Sequence, residues 1–513
     1  MNITDVIWRN SHAWPDRLAV LADESQLSFK ALRNLCTLVA ARLHEAGLRQ
    51  GDCVALALPD PLGYLVTAFA AARLGLPVIP FTAIGSEALK ETLLHRHRVA
   101  ALVSGRGANW RTAALAPERH LEFRKLSSAA GALEKLARPP IARNVDNEPW
   151  LIALSSGTTG TPKSNAQTHW RAMLNSSLPA RPDGTHQPSR LLVFTDLGIN
   201  LGMSEILRQL YAGATVVLTR SASAGNFFDV VQRSQATHAI TTTGSATSLV
   251  VHAAKNLPDS AAMCRSLQSI TISGSGVPSA VQEGVIQRIC AQIEIRYGST
   301  ETGFIASTNT AMLASHPDSS GRIAPWVQAQ AVDEHQEPLP VGQVGTLRFK
   351  TPTAAPGYVG DEEASARAFH DGWFYPGDRG SIDAAGYLTL AGRVDHRINL
   401  GGAKLNAEVI EKVINSHPAV LESAVVPMPR RDAGPVAVAA IVANEVFSVE
   451  ELRSWCSERL ELSSVPAHFV TLTEFPKNAG GKILRRKLPE MIREAIARTA
   501  SGDRKRTPIQ HDS

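Results

Sequence analysis

The chain has 513 residues, 44% of them hydrophobic and 19% charged, too many for one ordinary domain and apolar enough to bury large cores. Its 52 Lys and Arg against 47 Asp and Glu leave a formal charge of +5, small for this length and suited to anionic small molecules rather than to nucleic acid. Five cysteines without CxxC spacing argue against a zinc site and a disulfide framework, and the opening MNITDVIWRN has no signal-peptide pattern. With no apolar stretch long enough to span a membrane, a cytoplasmic protein with reduced thiols is expected.

In chain order, Ser28 caps a helix whose apolar positions Leu32, Leu35, Val39 and Leu43 follow helical spacing to Gly47. Gly51 and Asp52 then turn the chain into a strand over 53–58, followed by an apolar helix to Leu74 and a strand over 77–80. This βαβ order recurs at 190–194, 214–218 and 267–272 and predicts an α/β fold with sheets covered on both faces. His95 and His97 form an HxH pair that, without further ligands, belongs to a surface helix.

From 342 to 390 the strands shorten and Gly, Pro and Asp turns multiply, as in a small β-rich subdomain. Beyond Arg393 a compact α+β pattern follows: helix 407–416, strands 421–427 and 436–443, helix 449–460, strand 467–472. The expected division is a large domain over 1–394, a small mobile domain over 395–500 and a flexible tail over 501–513, with Asp395 as the hinge.

Residues 154–163 (LSSGTTGTPK) carry the first chemical signal. The apolar run 150–154 reads as a buried strand, and at its exit Ser155, Ser156, Thr158 and Thr159 supply hydroxyls, Gly157 and Gly160 a backbone free to curl round an anion, and Lys163 a cation. Pro162 stands where the Walker pattern requires glycine, so the register points away from P-loop NTPases. Alone, such a loop is also an ordinary surface turn.

Four further segments follow: YGSTETG at 297–303, GWFYPGDRG at 372–380, GRVDHRINLGGAKLNAEVIE at 392–411 and PKNAGGKILRRKL at 476–488. In this order and spacing, the five together resemble the adenylate-forming superfamily, which includes the acyl- and aryl-CoA synthetases and the adenylation domains of peptide synthetases. The resemblance implies activation of a carboxylic acid by ATP and Mg2+, pyrophosphate release, and thioester formation with CoA.

It also implies roles for individual residues. Glu301 becomes the magnesium ligand, Thr300 the α-phosphate donor and Tyr297 a ring beside adenine, with Gly298 and Ser299 in the same nucleotide-binding turn; in isolation this heptad is a strand end with a surface Glu. Ser275 and Gly276 of SGSGVP fall at adenine-side contacts, although the hexapeptide alone is a turn. Asp378 and Arg393 fall at the ribose, where a carboxylate can accept from both hydroxyls of a diol. Lys482 becomes the catalytic cation, with Gly480 and Gly481 letting its loop enter the site, whereas Arg485, Arg486 and Lys487 are expected on a solvated helical face. Once the adenylate has formed, rotation about Asp395 would withdraw Lys482 and bring Gly401 and Gly402 alongside the path of a pantetheine thiol.

The acid itself is not named by these residues. The stretch 194–207 (FTDLGINLGMSEIL) lacks the PLxH pattern of many acyl-CoA synthetases. Aligned with amino-acid-activating domains, it puts Asn200 where an aspartate would pair with an α-ammonium and Glu205 at the later acid, so an α-amino acid is disfavoured and Asn200 is either a pocket residue or part of a loop or cap. The GG-containing loop favours CoA over the alternative acceptor, the phosphopantetheine of a separate carrier protein. An inactive nucleotide-binding protein is the alternative of another class.

Overall fold

A computed structural model describes the chain except for residues 82–86, 106–114, 128–138, 156–161, 179–188, 395–396, 401–402, 431–432, 444–447, 462–463, 479–480 and 501–513. Two large sheets organise the N-terminal part. One has six strands, in the order His120–Glu122, Val99–Ser104, Cys53–Ala57, Val78–Pro80, Pro149–Ser155 and Lys163–Thr168; all pairs are parallel except the last, an antiparallel pair that carries the 154–163 segment.

The second sheet has fifteen strands. Its parallel centre runs Leu18–Ala22, Thr215–Leu218, Arg190–Phe194, His238–Thr242, Ser269–Ser273 and Ile293–Ser299. It then turns antiparallel through Gly303–Asn309, Gly321–Ile323, Tyr387–Arg393, Asp378–Ile382 and Gly345–Lys350. The β-rich stretch after 342 therefore continues the large sheet while keeping its own core around Leu347, Phe349 and Leu388.

Between the sheets lie the helices Phe29–Glu45 and Pro61–Arg73. Ser28 caps the first as expected, its side chain accepting from Ala31 N at 3.2 Å. The second is apolar on nearly every face and correspondingly buried. Phe69 from it stacks on Trp150 with ring centroids 6.4 Å apart, and one continuous core joins strands of both sheets.

A small C-terminal domain holds a three-stranded sheet (Val420–Arg430, Ala433–Ala443, His468–Thr471) covered by the helices Ala407–Asn415, Val449–Ser457 and Leu488–Ala500. The hairpin Arg397–Leu400 and Ala403–Asn406 leads into it. All five cysteines are free and buried. No described helix is long and apolar enough to cross a membrane.

Candidate active site

The 154–163 segment begins and ends in register. Ser155 and Lys163 are cross-strand partners at the mouth of their hairpin, and Ser156, Gly157, Thr158, Thr159 and Gly160 lie outside the described residues. The ammonium of Lys163 sits 4.7 Å from the centroid of the Tyr358 ring, and the Tyr358 hydroxyl donates to Glu301 Oε1 at 3.0 Å. Burial, with the Glu301 charge beside it, pushes the Tyr358 hydroxyl well above the usual tyrosine range, so it stays a donor.

Glu301 is 7% exposed and stands in the turn between the antiparallel strands Ile293–Ser299 and Gly303–Asn309. A bulge at Tyr297 and Gly298 shapes this turn, and a Cβ on Gly298 would fall 2.3 Å from the Gly303 carbonyl oxygen, so only glycine fits there. Ser299 Oγ lies 3.0 Å from Thr302 Oγ1, and the Thr300 carbonyl accepts from Gln167 Nε2 at 3.0 Å. The buried Arg171 donates to the main-chain oxygens of Glu301 at 3.1 Å and Thr353 at 3.0 Å, fixing the turn from below. Burial lowers its guanidinium to about 10, still charged at neutral pH, with Glu301 acting against the shift.

Asp378 begins a strand paired with the one that ends at Arg393, and the two residues are direct neighbours in register. Arg393 Nη1 donates to Asp378 Oδ1 at 3.0 Å and the Tyr297 hydroxyl to Oδ2 at 2.5 Å. The Tyr297 ring packs at 5.8 Å from Phe349. Burial lifts the Asp378 carboxyl above its ordinary value, while Tyr297, Arg393 and the Lys482 charge pull it down. Lys482, from the small domain, is therefore within electrostatic reach of the carboxylate that the large domain holds.

Lys482 stands at the foot of a tight turn. Its amide donates to Asn478 Oδ1 at 2.9 Å, the Asn478 amide donates to its carbonyl at 2.9 Å, and Lys477 bridges to Ile483. Two ion pairs fasten this turn to the small domain: Lys477 to the buried Glu422 at 2.7 Å, and Arg485 to the buried Glu411. The expectation of a solvated face is corrected for Arg485, whose guanidinium also reaches the Val425 carbonyl at 3.2 Å; Arg486 and Lys487 are exposed as expected.

The remaining expected residues are placed as follows. The Ser275 carbonyl accepts from Thr243 Oγ1 at 2.9 Å, and Gly276 has open space on its Cβ side. Asn200 opens the helix Asn200–Tyr211, with Ser204 Oγ 3.3 Å from its Oδ1. Glu205 is buried against Arg296 at 3.0 Å and Arg208 at 3.4 Å; burial would raise its carboxyl, but the two arginines outweigh it and hold it below the ordinary value. Asp395, Gly401 and Gly402 lie outside the described residues.

Two residues that the sequence did not assign to the site lie beside it. Tyr358 sits in a Pro- and Gly-bearing turn that reads as surface loop. His97, expected on a surface helix, lies beyond the end of the helix Glu87–Arg96, half-buried, with Nε2 2.8 Å from the Ser164 hydroxyl. In the seam between the domains, a cleft of about 200 Å³ is lined by Phe194, Thr242, Gly244, Ser248, Lys477 and Gly481.

Comparison with known proteins identifies the family and the fold. The chain is 27% identical over 482 residues to 2-succinylbenzoate–CoA ligase of Bacillus licheniformis, covering 92% of this chain and 97% of that protein. It is 28% identical over 539 residues to pyochelin synthase PchD of Pseudomonas aeruginosa, covering 96% and 93%. Its fold matches the crystal structure of the anthranilate CoA ligase AuaEII in complex with anthranoyl-AMP, with TM-score 0.84, 22% identity and 97% and 98% of the two chains covered. It also matches o-succinylbenzoate coenzyme A synthetase from Bacillus subtilis in complex with ATP and magnesium ion, with TM-score 0.80, 23% identity and 94% and 98% covered. The family described as "AMP-binding enzyme C-terminal domain" matches residues 409–482 and that described as "AMP-binding enzyme" matches residues 7–359, so this chain belongs to the AMP-binding enzyme family.

Proposed function

We propose that this chain joins a carboxylic acid to the α-phosphate of ATP, releasing pyrophosphate, and then passes the acyl group to the thiol of CoA. A carboxylate is a poor electrophile because it is anionic and oxide is a bad leaving group. Attack of its oxygen on the α-phosphorus, with cleavage of the bond to pyrophosphate, converts it to a mixed anhydride whose leaving group is AMP. The observation that carries the reading is that the large domain holds Asp378 by Tyr297 and Arg393 while the turn ending at Lys482 touches the same domain, Gly481 lying against Thr242 and Gly244.

In this reading Asp378 and Arg393 hold the ribose, Tyr297 flanks the adenine alongside Ser275 and Gly276, and the segment from Ser155 to Lys163 holds the β- and γ-phosphates. Thr300, Gly298 and Ser299 face the α-phosphate from the turn that Arg171 fixes. Lys482 opposes the charge that builds on the reacting oxygens; at an effective dielectric near 20, one such pair at about 4 Å is worth roughly 4 kcal/mol before desolvation.

Glu301 fits magnesium. It is a single buried carboxylate, and among the described residues no group of three or more His, Cys, Asp or Glu forms a metal cage. Such an ion is held by one or two carboxylates together with substrate phosphates. Bound there, it would neutralise phosphate charge. Asp395 would act as the hinge between the half-reactions, with Gly401 and Gly402 lining the thiol path and Asn200 facing the acid.

The test is pyrophosphate exchange into ATP over a panel of aromatic and aliphatic acids, with mass spectrometry of bound adenylates. CoA and a holo carrier protein are then offered in parallel. Exchange followed by acyl-CoA formation is expected; transfer only to the carrier replaces the acceptor, and no exchange with any acid overturns the reading.

A further inference from the structure

The helix Thr243–Asn256 starts where the strand His238–Thr242 leaves the large sheet, with Thr242 as its cap. Gly244 stands in its first turn, an unfavourable residue for a helix where alanine would serve better. The reason lies across the seam. A Cβ on Gly244 would fall 2.9 Å from Cδ of Lys477, 3.1 Å from the Gly481 carbonyl oxygen and 3.3 Å from Gly481 Cα.

The contact is mutual. Gly481 has φ +76°, and a Cβ there would fall 2.6 Å from Thr242 Oγ1, 3.0 Å from Thr242 Cβ and 3.3 Å from the Gly244 nitrogen. Backbone of the large domain thus touches backbone of the turn that presents Lys482, at the residue immediately before it. The described residues of that turn are braced by Asn478 and pinned by Lys477 to Glu422. A displacement at Gly481 is therefore passed to Lys482 rather than absorbed. The helix start is equally fixed, since Thr243 Oγ1 donates to the Ser275 carbonyl at 2.9 Å.

We infer that Gly244 and Gly481 form a backbone-to-backbone seat that docks the lysine turn on the large domain, making Gly244 a positioning residue for adenylate formation and not for thioester formation. The inference rests on the two-step reading above. A side chain at position 244 props the seam open and moves the ammonium off the reacting oxygens, and a misplacement of about 1 Å costs on the order of a hundredfold in rate. In the second half-reaction, on the two-step reading, the lysine turn has left the seat, so the side chain no longer displaces it.

The experiment uses Gly244→Ala and Gly244→Val in the full chain. Alanine is a better helix former than glycine, so a loss with unchanged melting temperature is not unfolding. The expected result is a graded fall in kcat for pyrophosphate exchange, about tenfold for Ala and about a hundredfold for Val. KM for ATP should stay within about threefold, and thioester formation from supplied acyl adenylate and CoA within about twofold. Equal loss of both half-reactions, or no loss of exchange, overturns the seat while leaving the activation reading intact. A second measurement works without any acid: ATP should slow amide hydrogen exchange over 476–488 in the parent chain and not in Gly244→Val. Equal protection in both overturns the seat even if no acid is turned over, whereas the absence of exchange with every acid overturns only the activation reading.

Discussion

Nε2 of His97 lies 2.8 Å from the hydroxyl of Ser164, the residue that follows Lys163. Burial, reinforced by the Arg96 charge, lowers His97 to about 4, so the ring is neutral at pH 7. Ser164 is held from the other side too, since its carbonyl accepts from the Val359 amide at 2.8 Å. Lys163 and Tyr358 therefore leave one anchored point together. His97→Ala is expected to raise KM for ATP about tenfold, near the upper range of one hydrogen bond, with kcat at saturating ATP within about threefold. His97→Gln, whose amide can donate or accept, should recover most of it; steady-state kinetics with ATP varied would show no change in KM if the tether is irrelevant.

Lys482→Ala separates the half-reactions. Pyrophosphate exchange is expected to fall about a hundredfold or more, as when a transition-state donor is removed, while acyl-CoA formation from supplied adenylate stays within about threefold. Rapid-quench measurement of each step decides it, and parallel loss of both would sink this division of labour.

The pH dependence of nucleotide binding follows from Asp378. Burial raises its carboxyl, so protonation, which weakens acceptance from the ribose hydroxyls, begins at higher pH than for an ordinary aspartate. Its raised value also favours the folded state below the unfolded pKa, an advantage lost as pH rises through the folded pKa. ATP affinity should thus weaken on the acid side above the usual carboxylate range. Arg393→Met removes a positive neighbour and should move that acid limb further up, as should Tyr297→Phe. Titration of ATP binding by calorimetry from pH 5 to 8 reads both shifts, and a limb that stays put in both variants contradicts the assignment.

Arg485 is the partner of a buried carboxylate, so its loss is a stability effect. Burial pushes Glu411 up, and Arg485 offsets this only in part. Arg485→Leu leaves the Glu411 charge uncompensated and is expected to cost about 3–5 kcal/mol in the small domain at pH 7. The deficit should be smaller at pH 5 than at pH 7, since the raised Glu411 carboxyl gains protons as pH falls, and Glu411→Gln in the same chain should restore part of it. Thermal and urea unfolding at the two pH values check this; a deficit independent of pH would rule out the unpaired charge as its cause.

The elements readable from sequence are those with a local cause. Ser28 caps its helix through a contact three residues away, and the apolar run at Arg190–Phe194 forms the strand it predicts. Asp378 and Arg393 meet because two strands place them in register, Tyr297 reaches Asp378 from a third strand through its hydroxyl, and their motifs mark each of them. Arg485 was misread because its partner is 74 residues away in the chain, so a basic run looked like a solvated face. Tyr358, Arg171 and Gly244 carry no periodicity or spacing of their own, and the HxH spacing of His97 does not point to Ser164; only the folded topology sets these residues beside Glu301, Ser164 and Gly481.

An acyl adenylate is itself an acylating reagent, and sulfur is its preferred target. Cys36, Cys53 and Cys264 are sealed in the interior with burial holding their thiols at about 12, Cys456 at about 11, and Cys290 is raised as well. None offers a thiolate at neutral pH. The protein's own thiols are thus closed to a reactive anhydride in the cleft, which leaves sulfur acylation to an external sulfhydryl.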